Sequence, residues 1–274
     1  MNINKSVGII GCGWLGQALA SQLLQNNYYV VGTATSLERL AQISSLGAIS
    51  EQLTLPLELA DKNSYQCFDC QSLIIAITPQ LRSGKVDYPK KIAQVVAKAQ
   101  QGKVKQIILI NSTAIYGGLK GDVTETSPLD LSQPKVETLL EAENIIFNSG
   151  IHAVSLRVAG LVGPNRLPGN FFKPGLSLKE PNAYVNLIHQ ADIVSCITHL
   201  IANVEITGVY NVASAMKVSK LEFYHKAALS LGKTPPEFET PNTMPTNKGK
   251  FVVSNKIRQV LPFQFKYDDL QAWL

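Results

Sequence analysis

The sequence predicts an α/β fold, a doubly wound parallel sheet with a smaller, loop-rich C-terminal lobe, and three observations lead there. Continuous apolar runs of strand length recur along the first 160 residues. Segments with helical spacing separate them, and the first run ends in a glycine-spaced turn. Strands buried on both faces of a parallel sheet read as unbroken apolar stretches, and alternating β and α segments wrap helices onto both sides of such a sheet.

The first element is Val7-Gly-Ile-Ile, followed by Gly11-Cys12-Gly13-Trp14-Leu15-Gly16 and the helix-like Gln17-Ala-Leu-Ala-Ser-Gln-Leu-Leu-Gln. The spacing Gly-x-Gly-x-x-Gly after a strand and before a helix is that of a dinucleotide-binding turn. The first glycine permits the tight turn, the second lets backbone approach a pyrophosphate, and the third lets helix pack close on strand. The phosphate would then sit on the helix N-terminus, where amides and the helix dipole favour negative charge. Tyr28-Tyr-Val-Val-Gly-Thr supplies a second strand at the expected distance.

Further strands are read at Ser72–Thr78, Gln106–Asn111 and His152–Val158. Helices are read at Asp87–Gln101, with Ile92, Val95, Val96 and Ala99 on one face, and at Gln133–Asn148, with Val136, Leu139, Leu140, Ile145 and Ile146. After Gly163 the texture changes. Pro164, Pro168, Gly169, Pro174, Gly175 and Pro181 mark loops, before a helix Gln190–Asn203, a strand Gly208–Val212, a helix Val218–Leu231 and a final element Phe251–Leu274. The expected division is residues 1–163 as a dinucleotide-binding domain and 164–274 as mainly a substrate lobe, some segments of which return to the first domain.

At 274 residues, 45% hydrophobic and 16% charged, the chain can bury a full core. No apolar run of about 18 residues suggests a membrane span, and Met1-Asn-Ile-Asn-Lys-Ser enters the first strand without a signal-like segment, so a cytoplasmic location is expected. The net charge of +5 is scattered, with no basic-aromatic stripe, which argues against nucleic acid and for small phosphorylated ligands. Cys67 and Cys70 form a Cys-x-x-Cys pair, yet no second pair or nearby histidine completes a metal site, so no metal is expected. Cys12 and Cys196 read as small core residues. The sequence carries no signal of oligomeric state.

Five segments in order resemble the extended and atypical short-chain dehydrogenase/reductases, the family of NAD-dependent epimerase/dehydratase-like proteins with a Rossmann fold. They are Gly11–Gly16, Asn111-Ser-Thr-Ala-Ile-Tyr-Gly117, Leu156-Arg-Val-Ala-Gly-Leu-Val-Gly-Pro164, Asn186-Leu-Ile-His-Gln-Ala-Asp192 and Gly208-Val-Tyr-Asn-Val-Ala-Ser214. The tight glycine turn is similar to that of the atypical branch of small nucleoside-diphosphate-sugar-epimerase-like proteins. The resemblance implies a Ser or Thr after the fifth strand acting with a Tyr-x-x-x-Lys on the next helix. Ser112 matches the first role. The Tyr-x-x-x-Lys is absent: counting back from Glu143 places Lys135 where the tyrosine belongs and Leu139 where the lysine belongs. Without that phenol, the proton would come from Lys135, Tyr116 or water.

Cofactor choice is read at the end of the second strand, where an acid selects NAD by accepting from the ribose 2′-hydroxyl. The segment here is Val31-Gly-Thr33-Ala-Thr35-Ser36, without an acid, and Arg39 lies one turn into the next helix. Hydroxyls and a guanidinium suit a 2′-phosphate, so NADP is expected, with NAD as the alternative. Ala76, Ile77 and Thr78 end the next apolar strand, where small residues let a dinucleotide cross the sheet edge. Gln80, Arg82, Tyr88, Arg166, Asn170, Phe171 and His189 are candidate liners for a small-molecule substrate. His189 reads as structural, and Asp192 as the cap of the helix that starts there.

The leading reading is an NADP-binding oxidoreductase or epimerase of short-chain-dehydrogenase type acting on a small, nucleotide-sugar-like substrate with a non-standard proton donor. The alternative is a catalytically silent NADP(H)-binding sensor, which the missing Tyr-x-x-x-Lys favours and the retained Ser112–Gly117 segment opposes.

Overall fold

The computed structural model describes residues 5–58, 63–80, 84, 87–172, 177–239 and 248–274. Its strands in chain order are β1 (Ser6–Ile10), β2 (Tyr29–Ala34), β3 (Ile49–Gln52), β4 (Ser72–Ile75), β5 (Gln106–Ser112), β6 (Gly121–Val123), β7 (His152–Val158), β8 (Gly160–Val162), β9 (Leu187–His189), β10 (Gly208–Val212) and β11 (Lys250–Val252). The helices are α1 (Trp14–Gln25), α2 (Leu37–Ser45), α3 (Tyr88–Gln101), α4 (Pro134–Phe147), α5 (Gln190–Ala202), α6 (Lys220–Leu229), α7 (Asn255–Val260) and α8 (Leu270–Trp273). Among the described residues, no helix is long and apolar enough to cross a membrane.

Seven strands form the main sheet in the order β10-β7-β5-β4-β1-β2-β3. β1 runs parallel to both neighbours, with Ile9 level with Gly32 on β2 and with Ile74 on β4. All of β1 and β4 is buried, as their unbroken apolar runs predict. The order runs outward in one direction from β1 through β2 to β3, and in the other from β4 onward. That makes the gap between the ends of β1 and β4 the point where the winding reverses. In open α/β sheets, ligands bind outside the carboxyl ends of the strands at such a point.

The helices follow from their sequences. α1 buries Leu15, Leu19, Ala20 and Leu23 along one stripe, each large aliphatic contributing about 1.5–3 kcal/mol. α3 and α4 begin with Pro89 and Pro134 in their first turns, where proline's missing N–H and fixed φ are tolerated. The helices expected at 87–101, 133–148, 190–203 and 218–231 each shift at one or both ends by one or two residues, and the strand expected at 72–78 ends at Ile75. One expectation is corrected more deeply: Phe251–Leu274 is not one element but a three-residue strand and two short helices, because Pro262 blocks continuation of α7. The three-residue strands β6, β8 and β9 lacked any sequence signal, being too short to show a period.

The chain divides into two compact units. One comprises Met1–Ile115, Leu131–Arg157 and Val194–Tyr210, and the other Tyr116–Asp130, Val158–Ile193 and Asn211–Leu274. The segments of the two units alternate along the chain, and β10, which comes late in it, is an edge strand of the main sheet. The second unit contains the pairs β6–β11 and β8–β9, and a core of Val162, Val185, Leu187, Met216, Val218, Phe223 and Leu270.

Candidate functional site

At the winding reversal, Gly11 has φ +84°, a left-handed value that disfavours any side chain, and a Cβ there would also come within 2.9 Å of Ile77 Cγ2. The turn is pinned to β2. The Gly11 N–H donates to Thr33 Oγ1 (3.1 Å), the Cys12 N–H to the Thr33 carbonyl (2.8 Å), and the Gly13 N–H to the Gly11 carbonyl (2.8 Å). Gly16 packs against the sheet, where a Cβ would lie 3.2 Å from Ile9 Cγ2 and 3.4 Å from Cys12 Sγ. Cys12 is buried and burial pushes its thiol up to about 12, so it contributes packing and backbone, not thiolate chemistry.

Gly13 is the N-cap of α1. No side chain caps this helix and no acid stands in its first turn. By contrast, Ser36 caps α2 by accepting from the Arg39 N–H (3.4 Å), and Ser219 caps α6 by accepting from the Glu222 N–H (3.1 Å). An uncapped helix start at the carboxyl edge of a parallel sheet is suited to an anion. Trp14 is half-buried beside it and Leu15 lies in the core.

Where the sequence placed cofactor selectivity, Thr33 is only 1% exposed and its hydroxyl is committed to Gly11, so it supports the turn. Thr35, Ser36 and Arg39 are exposed. Arg39 Nη1 lies 3.3 Å from the place a Gly13 Cβ would occupy, which brings a guanidinium over the glycine turn. The carboxylate on the neighbouring strand, Glu51, accepts from the Gln66 and Cys67 N–H groups (2.7 and 3.0 Å) and is thereby occupied. Burial, aided by Glu51, pushes both the Cys67 and Cys70 thiols far up, so this pair remains protonated.

Ala76, Ile77 and Thr78 leave the sheet directly after β4, and the Ala76 N–H donates to the Ile10 carbonyl (2.9 Å). Ser112 ends β5, half-buried. Its Oγ accepts from the Ala114 N–H (3.1 Å), which leaves the hydroxyl proton available to another acceptor. Beneath it lies a buried network that sequence reasoning missed. Asn111 Oδ1 accepts from the Ser112 N–H (2.9 Å), while Asn111 Nδ2 donates to Glu143 Oε1 (2.9 Å) and to the Leu139 carbonyl (3.2 Å). Glu143 also receives Ser155 Oγ (2.8 Å) and the Arg157 guanidinium (2.7 and 3.0 Å). The available signal was an arginine inside the apolar run His152–Val158. Such a buried pair costs about 3–5 kcal/mol when one partner is removed.

The remaining candidates separate. Lys135 stands exposed in the first turn of α4. Tyr116 is fully buried, its hydroxyl donating to Asn211 Oδ1 (2.6 Å), and Lys250 Nζ donates to its carbonyl (3.2 Å). A phenol so enclosed, with its proton committed, is out of reach of a substrate in this arrangement. Tyr88 is also fully buried, and its hydroxyl finds no partner among the described residues. Gln80, Arg166, Asn170 and Phe171 are exposed, and Arg82 lies outside the described residues.

The expectation for Asp192 is corrected. The cap of α5 is His189, whose Nδ1 accepts from the Ala191 N–H (3.1 Å), while Asp192 accepts from the Lys266 and Tyr267 N–H groups (2.7 and 3.0 Å). His189 packs against Tyr267 and Trp273 at 3.8 and 4.8 Å between ring centroids. Burial, and then nearby Lys266, lower its pKa to about 4.

The sheet order and glycine turn define a Rossmann-type α/β protein, and solved structures share that fold over nearly the whole chain. UDP-glucuronic acid 4-epimerase from Bacillus cereus in complex with NAD matches with TM-score 0.75 and 19% identity, covering 97% of this chain and 96% of that one. A functionally unknown conserved protein from Silicibacter pomeroyi DSS matches with TM-score 0.74 and 21% identity, over 98% and 96%. The family described as "NADP oxidoreductase coenzyme F420-dependent" matches residues 6–80, the span from β1 through β4. Protein YeeZ of Escherichia coli (strain K12) is 33% identical over 270 residues, 97% of each chain. The chain belongs to the YeeZ family, within the fold of the NAD-dependent epimerase/dehydratases.

Proposed function

We propose that the protein is an NADP-binding oxidoreductase or epimerase of short-chain-dehydrogenase type, acting on a small, nucleotide-sugar-like substrate. The observation that carries this reading is the uncapped start of α1 behind the Gly11 turn, at the winding reversal of the sheet. The pyrophosphate would rest on the amides of Gly13–Gly16, with Ala76–Thr78 beneath the dinucleotide. Exposed Thr35, Ser36 and Arg39, with Glu51 occupied elsewhere, favour a 2′-phosphate over a bare hydroxyl. Neighbours of the same fold crystallised with NAD support the cofactor class, and a UDP-glucuronic acid 4-epimerase among them supports the substrate class.

In this reading Ser112 donates its hydroxyl proton in a hydrogen bond to the substrate oxygen, its lone pair already held by Ala114. The proton that accompanies hydride transfer comes from water or from Lys135, since Tyr116 is enclosed.

Thermal denaturation with NADPH, NADP, NADH and NAD side by side tests the cofactor. A ligand that binds only the folded state raises Tm with its affinity, and the NADP pair is expected to raise it most. No shift with any of the four overturns the reading. Arg39→Ala is expected to weaken NADPH about tenfold while leaving NADH nearly unchanged, the scale of one charge-assisted contact.

A second reading, an NADP(H) sensor without turnover, is favoured by one observation: buried Leu139 and solvated Lys135 stand where the family's catalytic pair would be. Steady NADPH consumption across a carbonyl panel, lost in Ser112→Ala, separates the enzyme from the sensor.

A further inference from the structure

The second unit holds a cavity of about 480 Å³ lined by Gly169, Phe172, Tyr224, Ala228 and the segment Gly232–Glu237. Its walls are built rather than incidental. Gly169 is bare because a side chain there would run into the Ala227 carbonyl of α6, so helix and loop close on each other. Gly232, at φ +66°, ends α6 and turns the chain, with the Lys233 N–H returned to the Ala228 carbonyl (3.0 Å). The segment that follows is fixed from two sides, by His225 Nε2 against the Pro236 carbonyl (3.1 Å) and by the Leu178 N–H donated to the Glu237 carbonyl (2.9 Å). Phe172 and Tyr224 meet edge to face at 4.7 Å and 84°, and Phe223, fully buried, backs Tyr224 at 5.5 Å.

The charges decide what such a cavity would take. Lys233 Nζ is committed to Asn170 Oδ1 (2.5 Å), whereas the Glu237 carboxylate makes no hydrogen bond or ion pair with another described residue. Burial raises the Tyr224 phenol, which stays neutral. Ala228 brings the last turn of α6 to the wall, the end where the helix dipole is negative. Aromatic faces also attract cations. An anion would meet the exposed carboxylate of Glu237 and the helix C-terminus, and among the described lining residues Lys233, already engaged, is the one ammonium to offset them. We propose that this cavity binds an organic cation, a protonated or quaternary amine carried on a flat apolar body. The site belongs to the second unit alone and is independent of the dinucleotide reading.

Titration of the full chain with benzyltrimethylammonium chloride, followed by calorimetry and ligand-observed NMR, tests this, with sodium benzoate as the charge-reversed arm. Saturable binding of the cation is expected. It should weaken about fivefold in Glu237→Gln and about tenfold in Phe172→Leu, which keeps bulk but removes the ring, as the range for cation–π and exposed charge contacts implies. Unchanged Tm in both variants shows that the fold is retained. No saturation by about 10 mM, a contact too weak to count as a site, overturns the proposal, as does binding that both variants leave intact. Benzoate binding that Lys233→Met abolishes overturns the charge assignment.

Discussion

Two helix starts in this protein solve the same problem in opposite ways. α1 begins at Gly13 with no side-chain cap and no acid in its first turn. α5 begins with a closed arrangement, in which His189 caps the Ala191 N–H and Asp192 reaches out to hold the Lys266 and Tyr267 N–H groups. Both follow short apolar strands, so local pattern does not separate them. What differs is the use of the polar groups. At α1 the sheet pins the turn from below through Thr33 and leaves the helix start open, while at α5 His189 caps the start and the C-terminal segment engages Asp192 in its first turn. A helix start left open at a winding reversal is available to a ligand; one closed by the chain itself is a structural joint.

Closing α1 should produce the largest effect. Gly13→Asp places a capping carboxylate where φ is −86°, a value any residue adopts, with only the flexible end of Arg39 nearby. The helix should gain a few tenths of a kcal/mol, about 0.3, as its start is capped, while dinucleotide affinity falls about a hundredfold through charge repulsion, close to 3 kcal/mol. Paired denaturation and binding titrations check both signs at once; retained affinity would mean that phosphate does not rest there.

Opening α5 comes next. Asp192→Ala leaves two backbone N–H groups without their acceptor and should cost about 2–3 kcal/mol, read from urea midpoints, with dinucleotide binding unchanged.

The same joint predicts a pH dependence. The pKa of His189 is about 4 in the fold, against about 6.5 when unfolded. A lowered histidine pKa means that the unfolded chain binds the proton more readily. Stability is therefore full above about pH 6.5 and declines as pH falls toward 4, by about 2 kcal/mol or somewhat more. Burial raises the Asp192 carboxyl, which acts with the opposite sign at the acid end and moderates the loss there. Denaturation midpoints across this range in the wild type and in His189→Asn, which keeps an acceptor for the cap, should diverge; parallel curves would reject the assignment.

The smallest effect concerns the pin beneath the open helix start. Thr33→Val removes the acceptor of the Gly11 N–H while keeping shape, and should cost about 1 kcal/mol of stability with a parallel loss of dinucleotide affinity.

Much of the first unit was legible because its signals are local. β1, β4 and β5 are apolar runs, and the glycine spacing declares a turn that demands φ +84° at Gly11. The roles that escaped depend on partners distant in sequence. Thr33 looked like a phosphate ligand and proves to be the anchor of Gly11, 22 residues away. Tyr116 looked like a proton donor and is enclosed by Asn211, 95 residues away. Asp192 looked like a cap and holds backbone 74 and 75 residues downstream.

By itself the sequence determined the alternation of β and α segments, the position of the glycine turn and the absence of the Tyr-x-x-x-Lys pair. Each of these rests on periodicity, spacing or residue identity within about 15 neighbouring positions. Only the tertiary structure decided which polar side chains remain available. Hydrogen-bond satisfaction in a buried site is a contest among all groups that fold into reach, and Thr33, Tyr116 and Asp192 were claimed by segments that no local pattern could bring to them.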